Sequence, residues 1–144
     1  MEKKYFDTKH SLFLEIGDYE AIDKASVNFL KRVISDDSIN DIFIDTDIQT
    51  LIREFNALFA YIIDAPIAEK KNQLKAGGYH LVNRKINSDT IDKLSNHLAL
   101  ALLDLNYHHK LVEDIMENIE SFREDLIDNY RKVILVGLLK YGIN

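Results

Sequence analysis

The sequence predicts an all-α fold, because apolar residues recur at three- and four-residue intervals and no strand-like alternation lies between the turn signals. The clearest helix runs from about residue 47 to residue 64. Its inward stripe contains Ile48, Leu51, Ile52, Phe55, Leu58, Phe59, Ile62 and Ile63. The 144 residues are 47% hydrophobic, with one proline and five glycines, and no linker or internal repeat divides them. One domain with a single core is therefore expected.

The other elements follow from the same periodicity. A helix is predicted over residues 19–35, with Asp18 placed to accept hydrogen bonds from its first free amides. A short helical corner is predicted over residues 38–43. Asn87 or Ser88 can cap a third long helix, and a last helix follows it. These two helices carry Ile91, Leu94, Leu98, Ala101, Leu102 and Leu105, and then Leu111, Ile115, Ile119, Phe122, Leu126 and Tyr130.

Composition and charge exclude several partners and chemistries. The formal net charge of −6 argues against a nucleic-acid or anionic-membrane surface, because such a surface needs concentrated basic residues. The absence of cysteine excludes disulfides and thiolate chemistry. The start, MEKKYFDTKHSLF, has no apolar run of signal-peptide length, and the apolar residues 133–139 are far fewer than the roughly 20 of a membrane span. A cytoplasmic protein with small-molecule or protein partners is expected.

Four collinear motifs give the chain a family resemblance. LFLEIGDYEAI at residues 12–22 and FLKRVISDDSINDIFIDTDI at residues 29–48 are similar to the truncated haemoglobin patterns LYxxIGGxxAI and FYxRVxxDxxIxxFFxxxDM. LALAL at residues 98–102 matches a later LAxAL pattern, and FREDLI at residues 122–127 resembles the family's last helix. Their order and spacing carry the resemblance, because no single motif is specific.

The resemblance implies a globin-like fold, a truncated two-on-two helical sandwich with an extended C-terminal helix. It assigns residues 1–10 to an N-terminal arm, residues 11–128 to the globin-like domain and residues 129–144 to the helical extension. The extension contains the apolar run VILVGLL. Such a run can pack across a homodimer interface or fold back over the base of its own domain, and both alternatives are open at this point.

Haem is the cofactor that the resemblance implies, bound between the second long helix and the segment before the third. His80 falls in that segment and is the candidate iron ligand, because a neutral imidazole nitrogen is a good axial ligand. Gly77 and Gly78 can bring the backbone close to a flat macrocycle. Without the resemblance, a histidine beside a glycine pair is more often an exposed loop residue.

Haem propionates need cationic or hydrogen-bonding partners. Basic residues bracket His80 at Lys71, Lys75, Arg84 and Lys85. Lys75 and Arg84 are the candidates for propionate binding, and the alternative for each is a solvated surface position.

The opposite wall of the pocket departs from the family pattern. Leu30 stands where the family commonly has a tyrosine that hydrogen-bonds to bound dioxygen, and Leu51 and Phe55 stand where it commonly has glutamines. Together with Phe43, these residues predict an apolar pocket wall. Because bound dioxygen depends more on hydrogen-bond donors than carbon monoxide or nitric oxide does, such a wall disfavours stable oxygen binding.

Three explanations of this departure are open. The protein can favour diatomic ligands other than stably held oxygen. A polar side chain, such as Glu54, Arg53 or Tyr61, can swing into the cavity. Alternatively, the fold has lost haem and filled the space with its own apolar side chains, which are core residues in most helices.

The remaining histidines are weaker ligand candidates. His97 flanks the apolar stripe of its helix and is the reserve candidate for the iron. His109 and Glu113, four residues apart, could chelate a metal, but a site needs a third ligand. His10 and His108 are expected to meet solvent.

The function predicted from the resemblance is haem-based binding of a diatomic ligand (O₂, NO or CO), for sensing, binding or redox chemistry. There is no Ser/His/Asp motif, no HExxH and no glycine-rich phosphate loop. Any enzymatic activity would therefore be haem-based, such as nitric oxide dioxygenation or a peroxidase-like reaction. A haem-free globin-like interaction or dimerisation module is the alternative from a different class.

Overall fold

The computed structural model describes residues 12–64 and 84–141, with side chains up to residue 139. The elements in these ranges are α1 (Leu12–Ile16), α2 (Asp18–Ile34), a 3-10 turn (Asn40–Ile42), α3 (Ile48–Ile62), α4 (Ser88–Asp104), α5 (His109–Ser121) and α6 (Arg123–Tyr141). No strand occurs in either described range. The all-α prediction is confirmed, and no helix within these ranges has both the length and the apolar content needed to cross a membrane.

The helices pack in two layers. α2 packs on α3 in one layer, and α4 packs on α5 and α6 in the other. The layers meet where α2 contacts α4 and where α3 contacts α6, and the latter is the most extensive helix pair in the described part of the molecule. Burying the apolar stripe of each helix against the opposite layer stabilises this arrangement. α3 therefore contacts helices of both layers.

Local sequence signals set the helix starts. The Asn87 side chain caps α4 by accepting a hydrogen bond from the backbone amide of Thr90 at 2.9 Å. The Asp18 carboxylate accepts one from the backbone amide of Glu20 at 3.0 Å. The N-cap position of α2 belongs to Gly17, however, whose φ of 111° suits a residue without a Cβ. Gly17 thereby separates α1 from α2.

The predicted last helix is divided in two. α5 ends at Ser121, and Phe122 takes a non-helical conformation with φ −104° and ψ 7°. Contacts to the other elements hold this corner: the Phe122 ring packs beside Tyr61 at a centroid distance of 5.2 Å, and the Arg123 guanidinium binds Asp92 of α4 at 2.6 Å. Helical periodicity alone does not reveal these contacts, because they form between distant parts of the chain.

The last helix folds back onto the other helices. α6 bends at Asn129, where φ is −138° and ψ is 41°, and its second half then packs along α3. Val133, Ile134 and Leu138 are at most 4% exposed there. Of the two alternatives for the apolar run, the structure therefore shows folding back within the chain.

Candidate functional site

Four predicted pocket residues form an apolar wall in the core. Leu30 of α2, Leu51 and Phe55 of α3, and Phe43 before α3 are at most 4% exposed. The ring of Phe55 makes edge contacts with Phe43 at a centroid distance of 5.6 Å and with Phe29 at 4.8 Å, an arrangement that aromatic pairs prefer. The four predicted side chains contain no hydrogen-bond donor. The predicted apolar character of this region is therefore present in the structure.

A small cavity lies beside the wall, among α2 to α6. Its volume is about 30 Å³, enough for a water molecule or two and far below the roughly 300–1,000 Å³ of typical ligand pockets. Its lining consists of Phe29, Phe55, Leu58, Phe59, Ile62, Ile91, Leu94, Ser95, Leu98, Ile119, Leu126 and Tyr130. The surface that this lining presents to the cavity is entirely apolar, although Ser95 and Tyr130 are among its residues.

A buried ion pair joins α3 to the segment before α4. The Arg84 guanidinium donates from Nε to Glu54 Oε2 and from Nη2 to Glu54 Oε1, both at 2.8 Å. The Arg84 side chain is 0% exposed and that of Glu54 is 8% exposed. The Tyr130 hydroxyl of α6 donates a further hydrogen bond to Glu54 Oε2. We call Glu54, Arg84 and Tyr130 the buried triad.

Arg84 also binds the corner that precedes α3. Its Nη1 donates to the carbonyl oxygen of Ile42 at 2.7 Å, and its Nη2 donates to Thr46 Oγ1 at 3.0 Å. Four of its five N–H groups thus have partners. The guanidinium carbon lies 4.8 Å from the centroid of the Phe43 ring, a cation–π distance. The cation therefore lies directly beside the apolar wall. Arg84 is not the solvated surface residue that the sequence left as an alternative.

The pKa values of the triad reflect its burial. Burial, followed by the charge and the hydrogen bond of Glu54, raises the pKa of Tyr130 well above its usual value near 10. Burial alone would lower the pKa of Arg84, but the hydrogen bond and charge of Glu54 reverse this effect and raise it. Both groups keep their ordinary charge states at neutral pH: Tyr130 is neutral and Arg84 is cationic.

The sequence alone presents Glu54 as one of three side chains that can swing into the cavity, and Tyr130 as a residue of an apolar stripe. A signal for Glu54 was available, because it lies three residues after Leu51 and four before Leu58, on the inward stripe of α3. A carboxylate in that position requires a buried cationic partner. The identity of the partner, 30 residues away in the chain, required the fold.

Two of the described histidines, His97 and His108, make hydrogen bonds within the protein. His97 Nε2 lies 2.7 Å from Asp36 Oδ2, which links α4 to the end of α2, and His97 is absent from the cavity lining. His108 caps α5 by accepting a hydrogen bond from the Lys110 amide at 3.2 Å. Within residues 12–64 and 84–141, no three His, Asp or Glu side chains are placed to hold a metal ion, so the pairing of His109 with Glu113 finds no third ligand there.

Two predicted site residues, His80 and Lys75, lie outside the described residues. The remaining five predicted site residues are described and have the chemical character that haem requires. Haem combines a flat apolar macrocycle with carboxylates at one edge, and the structure places the guanidinium of Arg84 over the ring of Phe43, which contacts Phe55 of the apolar wall. The apolar side chains match the macrocycle and the guanidinium matches a propionate in chemical character. Because Arg84 is already paired and the cavity is small, accommodating haem requires these contacts to rearrange.

Comparison with known proteins supports the fold. A family model for bacterial-like globins matches residues 11–128. Two crystal structures of truncated haemoglobin from Tetrahymena pyriformis, each a single-residue mutant in the Fe(III) form, match with a TM-score of 0.65 and 18% sequence identity, covering 81% of this chain and 97% of the other. No curated protein sequence gives a significant match. The structural matches confirm the predicted truncated globin fold.

Proposed function

Because this chain belongs to the bacterial-like globin family, we propose that it binds haem and, at the iron, a small diatomic ligand. The observation that carries the proposal is the contact between the apolar wall and a cation: the Arg84 guanidinium lies over Phe43, whose ring contacts Phe55. Apolar residues suit the macrocycle, and a guanidinium suits a carboxylate at its edge.

The proposed site assigns a role to each predicted residue. His80 is the iron ligand. Contacts to the macrocycle are assigned to Leu30, Phe43, Leu51 and Phe55, and contacts to the propionates to Lys75 and Arg84. The assignments of His80 and Lys75 rest on the resemblance, and those of the other five also rest on their burial.

Bound haem supplies an iron centre that takes diatomic ligands and exchanges electrons. The chain's contribution is a wall that excludes water and offers no side-chain donor at Leu30, Leu51 or Phe55. Ligands that depend little on hydrogen bonds, such as carbon monoxide and nitric oxide, are favoured over stably held oxygen. Sensing, ligand binding or redox chemistry therefore suits this pocket better than oxygen storage.

The test is reconstitution of the purified protein with haemin. Absorption spectra in the ferric, ferrous and CO-bound states are recorded for wild type, His80→Ala and His97→Ala. We expect a Soret band in wild type and His97→Ala, and a weakened or shifted band in His80→Ala. Absence of the band in wild type contradicts haem binding, and an unchanged band in His80→Ala moves the iron ligand elsewhere.

A haem-free interaction module is the second candidate function. The buried triad favours it, because Glu54 and Arg84 neutralise each other within the chain without any cofactor. Such a module would act through a surface that binds a partner. The specific partner proposed is a second copy of the chain, bound through the C-terminal helix. Leu139 on this helix, α6, is 38% exposed and available for that contact. Sedimentation of the full chain and of Leu139→Glu tests it. A monomer at all concentrations excludes this dimer, and a dimer that Leu139→Glu dissociates supports it.

A further inference from the structure

Glu54 and Arg84 pair in the geometry by which arginine commonly binds a carboxylate. Both oxygens of Glu54 accept hydrogen bonds from the same guanidinium, each at 2.8 Å. This bidentate arrangement is the one by which arginine recognises any carboxylate, whether it belongs to a side chain or to a ligand. A second carboxylate can therefore replace Glu54 at Arg84 without altering the guanidinium.

Stability alone does not account for the pair. Removing two charges from water costs much of the energy that their attraction returns, and apolar residues of similar size often serve a core equally well. The side chains of Glu54 and Arg84 are nonetheless almost fully buried, at 8% and 0% exposure. A buried pair that stability does not explain points to a further use for one of its two charges.

The position of the pair indicates that use. The Arg84 guanidinium covers the ring of Phe43, and Glu54 precedes Phe55 on the inward stripe of α3. Tyr130 both lines the apolar cavity and donates its hydroxyl hydrogen to Glu54. The carboxylate partner of Arg84 therefore lies at the border of the region assigned to the macrocycle.

We propose that Glu54 is an internal competitor of haem: its carboxylate occupies Arg84 in the haem-free protein, at the position that a haem propionate takes in the haem-bound protein. This inference rests on the proposed function. Arg84 is paired with a carboxylate in both states, so its charge is never buried alone. When a propionate takes Arg84, the Glu54 side chain turns out of the core to solvent, because a carboxylate buried without a cation is costly. Glu54 is a positioning residue that keeps Arg84 and the segment before α4 in place until haem arrives.

The test compares two ligands that differ only at the carboxylates: haemin and its dimethyl ester, whose edge is uncharged. Dissociation constants for both are measured by Soret titration of the full chain, and urea unfolding is measured on the haem-free protein. The variants are Glu54→Gln and Arg84→Gln, with exposed Glu113→Gln as the matched control for loss of a carboxylate.

The expected results separate competition from a purely structural role. Wild type prefers haemin to the ester, and Glu54→Gln increases that preference about tenfold while making the haem-free protein less stable to urea. Arg84→Gln removes the preference, and Glu113→Gln behaves as wild type. A purely structural role would weaken the binding of both ligands together, because each needs the folded protein.

Each contrary outcome has a distinct meaning. If Glu54→Gln leaves the preference unchanged or lowers it, or if wild type binds both ligands equally, the competition is refuted while haem binding stands. If wild type binds neither ligand, the proposed function itself fails. If Arg84→Gln does not fold, Arg84→Lys replaces it, since lysine keeps the charge without the bidentate geometry. An unchanged preference in Arg84→Lys also refutes the inference.

Discussion

Gly137 of α6 lies against the backbone of Ala57 in α3, so closely that a Cβ at position 137 would be 2.5 Å from the Ala57 carbonyl oxygen. Ala57 is itself 0% exposed. Two helices can approach this closely only where one of them lacks a side chain. The second half of α6 is therefore closely packed on α3.

Gly137→Ala is expected to destabilise the protein by about 1–3 kcal/mol, the usual cost of overpacking, despite the higher helix propensity of alanine. The overlap is with a backbone oxygen, which cannot rotate away. Urea unfolding followed by circular dichroism measures the change. The exposed Lys132→Ala on the same helix is the control, with an expected change within about 0.5 kcal/mol. A stability of Gly137→Ala equal to the control would show that α6 does not pack this closely.

The hydroxyl of Tyr130 is expected to stabilise the fold in a pH-dependent way. Tyr130→Phe leaves Glu54 without one hydrogen bond and should cost about 1–3 kcal/mol at pH 7. The pKa of Tyr130 is raised in the folded protein by burial and by Glu54. Its contribution is therefore complete below the unfolded pKa near 10 and declines as the pH rises above that value.

Urea unfolding of wild type and Tyr130→Phe at pH 7, 9 and 10.5 checks this dependence. The difference between the two proteins should be the same at pH 7 and 9 and smaller at pH 10.5. Lysine deprotonation affects both proteins equally and cancels in the difference. A difference that grows at pH 10.5 would mean that the folded protein favours ionised Tyr130, contrary to its burial.

Asp36 should stabilise the link between α2 and α4 against acid. The hydrogen bond to His97, followed by those from Ser38, holds the pKa of Asp36 well below its usual value near 3.8. A depressed folded pKa means that the stabilisation is present above the unfolded pKa and is lost as the pH falls below it. Compared with Asp36→Asn, wild type should have a higher Tm at pH 5–6, and this advantage should shrink between pH 4 and pH 2.

Thermal unfolding across that pH range provides the measurement, with the neighbouring exposed Asp37→Asn as the control. Asp37→Asn should follow wild type more closely than Asp36→Asn does at pH 5–6. If wild type and Asp36→Asn differ by the same amount at pH 2 as at pH 6, the pair with His97 does not set the pKa of Asp36.

The fold was predictable because its signals are local. The inward stripe of α3 and the cap at Asn87 depend on residues within one or two turns. The break at Phe122 was missed because Tyr61 and Asp92, which hold it, are distant in the chain.

The candidate site was predictable in its apolar part and not in its charged part. Burial of Leu51 and Phe55 follows from periodicity, whereas burial of Arg84 is energetically acceptable only with Glu54 opposite it. Charged residues are normally exposed, so a sequence reveals a buried pair only when the fold brings its two members together.

In the proposed haem site, a single hydrogen-bond donor on the apolar wall is expected to change ligand binding. Leu51→Gln introduces an amide of similar size on the wall, and Leu51→Met is the apolar control. One hydrogen bond to bound dioxygen is worth about 1.5 kcal/mol, so oxygen dissociation from Leu51→Gln should be about tenfold slower than from wild type. Carbon monoxide dissociation should change much less, because this ligand carries less charge.

Stopped-flow replacement of oxygen by carbon monoxide, with ferrous protein reconstituted with haem, measures these rates. The ratio of oxygen to carbon monoxide dissociation rates is the informative quantity, since a general loosening of the pocket alters both rates. Leu51→Met should retain the wild-type ratio. An equal ratio in Leu51→Gln and Leu51→Met would mean that position 51 does not face the bound ligand, and the wall would then be core packing rather than a pocket surface.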